Sequence, residues 1–193
     1  MLIFRDISTL QIHLKNLKNN NKVIGFVPTM GALHKGHLSL VKKSISQNDS
    51  TVVSIFINPT QFNNVNDLKT YPSDINKDLE LLRSISDKII VFNPESDELY
   101  AGDIRRDQFN FNGLDTYMEG EFRENHFAGV ATVVSKLFSL IKADYAYFGE
   151  KDFQQLRIIE NLIKEKKFKI KLIRCETIRS EDGLALSSRN NKL

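Results

Sequence analysis

The sequence has few of the features that mark secreted and membrane proteins. Cys175 is the single cysteine among 193 residues, so no internal disulfide can form. Its neighbours read as a strand and predict a buried, inert thiol rather than a nucleophile. No apolar run approaches the roughly 18 residues that a membrane-spanning helix needs. Arg5 and Asp6 stand where a signal peptide would carry its apolar region. We therefore predict a cytoplasmic protein with no membrane partner.

The chain also lacks a strong excess of charge of either sign. Its 27 lysines and arginines are nearly balanced by 24 aspartates and glutamates, which leaves a formal net charge of +3. Because the basic residues are interspersed with acidic ones, this excess does not predict a nucleic-acid partner. It is compatible with a small anionic substrate. The length of 193 residues, 41% of them hydrophobic, fits one domain with a real core.

Runs rich in β-branched and aromatic residues alternate with segments of helical periodicity. The predicted strands are residues 23–27, 51–57, 88–92, 145–148 and 170–175. The predicted helices are residues 36–47, 75–86, 129–141 and 153–166. This alternation predicts an α/β fold, a Rossmann-like parallel sheet with helices on both faces. Residues 103–125 show neither pattern and are interpreted as a loop or a short antiparallel excursion.

Polar side chains follow four of the predicted strands at their carboxyl ends. They are His34 and His37, then Asn58 and Gln61, then Lys151 and Gln155, and last residues 178–189. Because ligands bind outside the carboxyl ends of strands in open α/β sheets, the four loops are predicted to meet at one crevice. The first loop opens a helix, whose free backbone N–H groups and dipole favour negative charge. The predicted substrate is therefore a nucleoside triphosphate, attacked at one of its phosphates.

Five sequence blocks carry a resemblance to a known family. They are PTMGALHKGH, SIFINPTQF, HFAGVATVVSKLF, the block FGEKDFQQ and the block IRSEDGLALSSRN. In this order they resemble pantothenate synthetase (pantoate–β-alanine ligase), of the HIGH-type nucleotidyltransferase superfamily, from about Phe26 to Arg189. The resemblance implies condensation of pantoate with β-alanine through a pantoyl adenylate, with release of AMP and pyrophosphate. ATP is then a substrate, and it binds together with Mg²⁺. The resemblance also implies a homodimer.

The resemblance assigns roles to particular residues. It makes His37, His34 and Lys151 catalytic and makes Gln61 and Gln155 the contacts to pantoate, with Met30 against the pantoate methyl groups. The implied ATP contacts are Met30, Gly31, Ala32, Leu33, His34, Lys35, Gly36, His37, Gly149, Glu150, Lys151, Asp152, Ile178, Leu186, Ser187, Ser188 and Arg189. The domain boundaries that follow are residues 1–177 for nucleotide and pantoate binding. Residues 178–193 are a phosphate-contacting loop and the start of a C-terminal domain that is otherwise absent.

Several alternatives stay open at the level of sequence. The two histidines could be zinc ligands or surface residues, although zinc favours a spacing of four on a helix or a third nearby ligand. One of them could donate a proton, or both could donate hydrogen bonds to phosphate oxygens. The metal ligands are unknown, with Asp78 and Asp152 as candidates. Arg123 and His126 are weaker candidates for contacts to the second substrate.

Two other functions fit the same fold. One is a nucleotidyltransferase of the same superfamily that makes a nucleotide-linked product without ligation. The other is a non-catalytic nucleotide sensor, which would not need the histidine pair, Lys151 and the two serines and arginine at residues 187–189. Release of AMP that depends on the amine distinguishes the ligase from both.

Overall fold

The computed structural model describes residues 1–190, so the last three positions of the predicted range 178–193 lie outside it. The strands are β1 Leu2–Phe4, β2 Ile24–Thr29, β3 Ser50–Ile55, β4 Ile90–Phe92, β5 Tyr145–Gly149 and β6 Lys171–Cys175. The α-helices are α1 Ile7–Asn19, α2 Lys35–Gln47, α3 Val65–Lys69, α4 Ile75–Arg83, α5 Ser96–Tyr100, α6 Glu119–Phe122, α7 His126–Ile141 and α8 Phe153–Glu165. Two 3-10 turns lie at Pro59–Gln61 and Glu150–Asp152.

The six strands form one parallel sheet in the order β1-β4-β3-β2-β5-β6. From β2 the chain winds outward through β3 and β4, and it then returns to the other side of β2 as β5. The direction of winding therefore reverses between β2 and β5, where Gly25 lies opposite Tyr145. In a sheet of this kind the ligand crevice forms at the carboxyl ends of the strands at such a reversal.

The sheet is covered by helices on both faces, as the sequence predicts. On one face, α1, α7 and α8 bury Leu10, Val134 and Ile159 in a large apolar cluster. On the other face, α2 and α4 bury Val41 and Leu82 in a second cluster. Each helix thus removes an apolar stripe from water against the sheet, which is the main source of stability in such layered folds.

The sequence-based prediction misses the first strand and the first helix. β1 is a three-residue edge strand, paired only with β4, and its Leu2 and Ile3 remain largely exposed, so it lacks a clear burial pattern. α1 buries only Leu10 and Leu14, one helical turn apart. The short helices α3, α5 and α6 are missed as well, and all other boundaries agree within three residues. In residues 1–190, no helix combines the length and apolar character that a bilayer crossing requires.

Two local predictions need correction. α7 begins at His126, three residues before the predicted start, and Gly129 lies inside it. A Cβ atom on Gly129 would stand 2.2 Å from the carbonyl oxygen of Thr60, so glycine here permits close contact between the helix and the turn Pro59–Gln61. The suggested antiparallel excursion in residues 103–125 is wrong, since this stretch contains loops and α6 but no strand.

Candidate active site

The loop that joins β2 to α2, residues 30–37, is called here the histidine loop. Gly31 and Ala32 have positive φ angles of 82° and 49°, so the chain turns sharply after the strand. The carboxylate of Asp78, on α4, accepts hydrogen bonds from the backbone N–H groups of Ala32 at 2.9 Å and Leu33 at 2.7 Å. The N–H group of Gly31 donates to the hydroxyl of Thr29 at 3.2 Å. The turn is therefore held by side chains on either side of it.

The two histidines cap the start of α2 reciprocally. The Nδ1 atom of His34 accepts from the backbone N–H of Gly36 at 3.1 Å, and that of His37 accepts from the backbone N–H of His34 at 3.4 Å. The ring centroids lie 4.1 Å apart. Because both Nδ1 atoms accept, the proton of each neutral ring must be on Nε2. Each ring is thus left with one N–H donor.

The surroundings of both histidines favour the neutral imidazole. Burial, and after it the neighbouring His34 ring and the Lys151 ammonium, together lower the pKa of His37 to about 3. Burial also lowers the pKa of His34, together with Lys151, while Asp152 opposes the shift. A neutral imidazole donates a hydrogen bond but has no extra proton to transfer. In the free protein the pair is therefore suited to hydrogen-bond donation rather than to general acid catalysis.

The expectation that this loop offers free backbone N–H groups to a phosphate needs correction. The N–H groups of Gly31, Ala32, Leu33, His34 and Gly36 all have acceptors within the protein. A group that already has a good acceptor gains little by exchanging it for a ligand. The imidazole Nε2–H groups are the donors that this loop offers to the cavity.

The polar residues after β3 form a buried hydrogen-bonded cluster. The amide nitrogen of Asn58 donates to the side-chain oxygen of Gln61 and to the carbonyl oxygen of Gly129, both at 3.1 Å. The amide oxygen of Asn58 accepts from the hydroxyls of Thr60 at 2.9 Å and Tyr100 at 2.5 Å. The side-chain nitrogen of Gln61 lies 2.9 Å from the Met30 sulfur. Asn58 therefore fixes the orientation of the Gln61 amide.

Lys151 and Gln155 lie just after β5, at the start of α8. The Lys151 ammonium forms an ion pair with Asp152 at 2.8 Å, and both side chains are partly exposed. Gln155 is half-buried, whereas its neighbour Gln154 is buried. Gln154 accepts from the N–H of Glu119 at 3.0 Å and donates to the carbonyl oxygens of residues 114 and 117. Gln154 thus fastens the long loop before α6, a role that the sequence alone does not indicate.

The last polar stretch, residues 178–190, is called here the serine–arginine segment. It folds back on itself through a bridge between Arg179 and Ala185, with Gly183 at a positive φ of 86°. The Ser188 hydroxyl donates to the carbonyl oxygen of Ala32 at 3.0 Å. Arg189 forms an ion pair with Asp67 of α3 at 2.7 Å. The segment is thereby attached to the histidine loop and to α3.

All four polar stretches line one cavity of about 290 Å³ at the carboxyl ends of β2, β3, β5 and β6. Of the nineteen residues to which the resemblance gives a catalytic, ATP or pantoate role, fourteen line it: Met30, His34, Gly36, His37, Gln61, Gly149, Lys151, Asp152, Gln155, Ile178, Leu186, Ser187, Ser188 and Arg189. Five others do not: Gly31, Ala32, Leu33, Lys35 and Glu150. The inner end is apolar and reaches α7 and β5, with Val133, Val134 and Phe148 in its wall. This apolar end is not predicted from the sequence.

The minor candidates have different surroundings. Arg123 and His126 line the cavity, and His126 Nδ1 lies 2.8 Å from the carbonyl oxygen of Gln61. Burial lowers the pKa of His126, and the hydrogen bond to Gln61 opposes that shift. Asp78 does not line this cavity, since it binds the histidine loop from behind. Cys175 is buried, as predicted, and burial raises the pKa of its thiol.

Comparisons with known proteins agree with this architecture. A family model described as pantoate-beta-alanine ligase matches residues 2–193. Curated relatives named pantothenate synthetase, from Christiangramia forsetii and Flavobacterium psychrophilum, are 50% and 48% identical over 193 residues, which is 100% of this chain and 68% of each relative. A crystal structure of pantoate-β-alanine ligase from Francisella tularensis, complexed with β-γ ATP and β-alanine, superposes with a TM-score of 0.93 at 43% identity. It covers 100% of this chain and 73% of that one.

Proposed function

This chain belongs to the pantoate–β-alanine ligase family, and from that premise we propose that it joins pantoate to β-alanine with ATP. In the first step the carboxylate of pantoate attacks the α-phosphorus of ATP, and the bond to pyrophosphate breaks. The product is pantoyl adenylate. In the second step the amine of β-alanine attacks the acyl carbon, AMP leaves, and the new amide is pantothenate. The amine loses a proton as the amide forms.

The convergence of four loops at the reversal point of the sheet is the observation that carries this proposal. His34 and His37 line the cavity there, and their Nε2–H groups have no acceptor among residues 1–190. We assign them to the phosphate oxygens on which charge builds as the α-phosphorus is attacked. Removing one well-placed donor to a developing oxyanion typically lowers the rate about 100–1000-fold. Orientation of the two bound reactants supplies up to roughly 7–11 kcal/mol more.

Lys151 and the serine–arginine segment supply the remaining donors to ATP. The Lys151 ammonium is held by Asp152 and is partly exposed, so a phosphate can approach it. A charge-assisted hydrogen bond of this kind contributes about 1.5–3 kcal/mol. We assign Ser187, Ser188 and Arg189 to the phosphates as well. Arg189 would then exchange its contact with Asp67 for one with the nucleotide.

Pantoate is assigned to Gln61 and Gln155, beside the apolar side chain of Met30. Each glutamine amide has a donor and an acceptor and so matches a hydroxy acid, which presents hydroxyl and carboxylate oxygens. Asn58 already fixes the Gln61 amide, so the binding geometry exists before the substrate arrives. Arg123 and His126 remain candidates for the β-alanine carboxylate, because both line the same cavity.

Mg²⁺ is proposed to enter with ATP. Among residues 1–190, no three or more His, Cys, Asp or Glu side chains are grouped so as to hold a metal ion. Mg²⁺ in such enzymes is held largely by phosphate oxygens and water with one or two carboxylates, and Asp152 is a carboxylate in the cavity wall. Bound there, the ion would neutralise phosphate charge. A homodimer and a cytoplasmic location stay predictions.

The proposed reaction is tested by product analysis. The purified protein is incubated with Mg²⁺, ATP and pantoate, with and without β-alanine, and the nucleotide products are separated. We expect AMP and pyrophosphate, with pantothenate formed only when all three substrates are present. Formation of ADP and phosphate would refute the adenylate route. A stable nucleotide-linked product unaffected by β-alanine would indicate a nucleotidyltransferase, and ATP binding without any turnover would indicate a sensor.

A further inference from the structure

Asp78 stands out because it is a buried carboxylate outside the cavity that nevertheless contacts the catalytic loop. It lies in the first turn of α4 and is 2% exposed. Its two oxygens accept from consecutive backbone N–H groups, those of Ala32 and Leu33, at 2.9 and 2.7 Å. A buried carboxylate is expensive unless its oxygens are hydrogen-bonded, so the carboxylate and the loop stabilise each other.

The loop needs such a partner because its backbone is strained. Two successive residues, Gly31 and Ala32, are in the left-handed region, and Ala32 is not a glycine. Left-handed residues with a Cβ persist where the surroundings hold them. A Cβ on Gly31 would stand 2.9 Å from Asp78 Oδ2, which shows how closely the carboxylate is packed against the turn. Residues 34–37, with both histidine rings, follow directly.

We propose that Asp78 is the positioning residue of the active site, which sets the place of His34 and His37 by holding the backbone of Ala32 and Leu33. This inference rests on the proposed function, in which the two Nε2–H groups stabilise charge on the phosphate. Asp78 acts through the loop and touches neither substrate nor metal.

The test compares two aspartates at the start of α4. Asp78→Asn keeps the size of the side chain but places an NH2 group against one of the two loop N–H donors, and Asp78→Glu keeps the charge but is longer by one methylene. Asp74→Asn is the matched control, since the carboxylate of Asp74, the N-cap residue of α4, accepts from the N–H of Lys77 at the start of that helix. For each variant, the rate of pyrophosphate formation, the KM for ATP and the half-saturating Mg²⁺ concentration are measured.

We expect both Asp78 variants to lose rate, by roughly 100-fold in kcat, because a misplacement of about 1 Å has effects of that size. The KM for ATP should change less than about threefold, and the half-saturating Mg²⁺ concentration should not change. Asp74→Asn should resemble the wild type. A raised Mg²⁺ requirement in Asp78→Asn would make the residue a metal ligand instead. Full activity in Asp78→Glu would show that charge alone matters. Either result would overturn the proposal.

Amide hydrogen exchange provides a second measurement that does not depend on turnover. In Asp78→Asn we expect faster exchange at Ala32 and Leu33, with protection in the middle of α2 retained, which also shows that the variant folds. Unchanged exchange at both amides would refute the positioning role. If the wild type formed no adenylate, the proposed function would fail, and this measurement would still decide whether Asp78 fixes the loop. If Asp78→Asn did not fold, the kinetic and the hydrogen-exchange measurements would both be made on Asp78→Glu.

Discussion

The histidine loop and the serine–arginine segment both line the cavity, yet they are held by contacts of different kinds. In the histidine loop, five backbone N–H groups have acceptors, and the key acceptor, Asp78, is 2% exposed. The serine–arginine segment is tied to the rest of the protein by the hydroxyl of Ser188 and by the ion pair of Arg189 with Asp67. The side chains of that pair are 43% and 36% exposed.

This contrast separates two tasks in one site. Exposed ion pairs contribute about 0–1 kcal/mol, so the serine–arginine segment can exchange its contacts for a nucleotide at little cost. Buried, fully paired groups resist displacement because leaving one of them without a hydrogen-bond partner would cost about 1–3 kcal/mol of stability. The histidine loop is therefore the fixed side of the cavity, which presents its donors in place before ATP binds. The serine–arginine segment is the adjustable side.

The largest expected effect concerns the protonation of His37. On the fixed side, burial, His34 and Lys151 lower its pKa to about 3, about 3.5 pH units below the ordinary value near 6.5, or roughly three-thousandfold in proton affinity. Imidazole NMR of labelled free protein should show the Nε2–H form throughout a titration from pH 8 to pH 5. Lys151→Met should raise this pKa. Titration between pH 6 and 7, or an Nδ1–H form, would show that the ring is open to water and would remove the contrast.

The next largest effect is expected on catalysis. It separates the role of His37 Nε2–H as a hydrogen-bond donor from the role of Nδ1 in capping α2. His37→Asn places an acceptor near the position of Nδ1, so the bond from the His34 N–H can survive, but it has no donor at the position of Nε2. We expect the rate of pyrophosphate release to fall about 100–1000-fold, with a modest change in ATP binding. His37→Gln, whose NH2 group reaches the Nε2 position, serves as the matched variant and should recover part of the rate. Equal activity of His37→Asn and wild type would exclude the Nε2–H group from the mechanism.

The smallest effect is expected on the adjustable side. Asp67→Asn removes the charge that holds Arg189, and we expect the free energy of unfolding to change by less than about 1 kcal/mol. The KM for ATP should fall slightly or stay the same, because the arginine no longer has to leave a carboxylate. Glu165→Gln, which breaks an exposed ion pair with Lys166, is the control. Urea unfolding and steady-state kinetics provide the two measurements. A loss of several kcal/mol would mean that both sides of the cavity are equally fixed.

The sequence predicts which residues share the cavity better than it predicts what holds them. His37, Gln61, Lys151 and Gln155 were expected at one crevice because the carboxyl ends of parallel strands meet at one edge of a sheet. All four line the cavity. The strand and helix pattern is enough for this result, since it needs only the order of the elements and the direction of the strands.

The partners of the loop could not be predicted in the same way. The acceptor of the Ala32 and Leu33 N–H groups lies more than forty residues away, on α4, and no local pattern connects the two. The expectation of free N–H groups failed for this reason. Likewise, Gln154 and Gln155 are adjacent and chemically identical, and the buried one is the one whose amide bonds to residues 114, 117 and 119, at least 35 positions away.

The close contact at Gly129 limits which amino acids position 129 can accept. Every other amino acid would bring a Cβ atom to 2.2 Å from the Thr60 carbonyl oxygen, and the backbone oxygen of Gly129 itself accepts from Asn58. A replacement would have to move α7 as a whole, and with it both His126 and the cluster that fixes Gln61. No single compensating substitution restores that space, because the obstructing atoms belong to the main chain of residues 60 and 61. We therefore expect position 129 to accept only glycine, because changing the neighbouring side chains does not remove these backbone atoms.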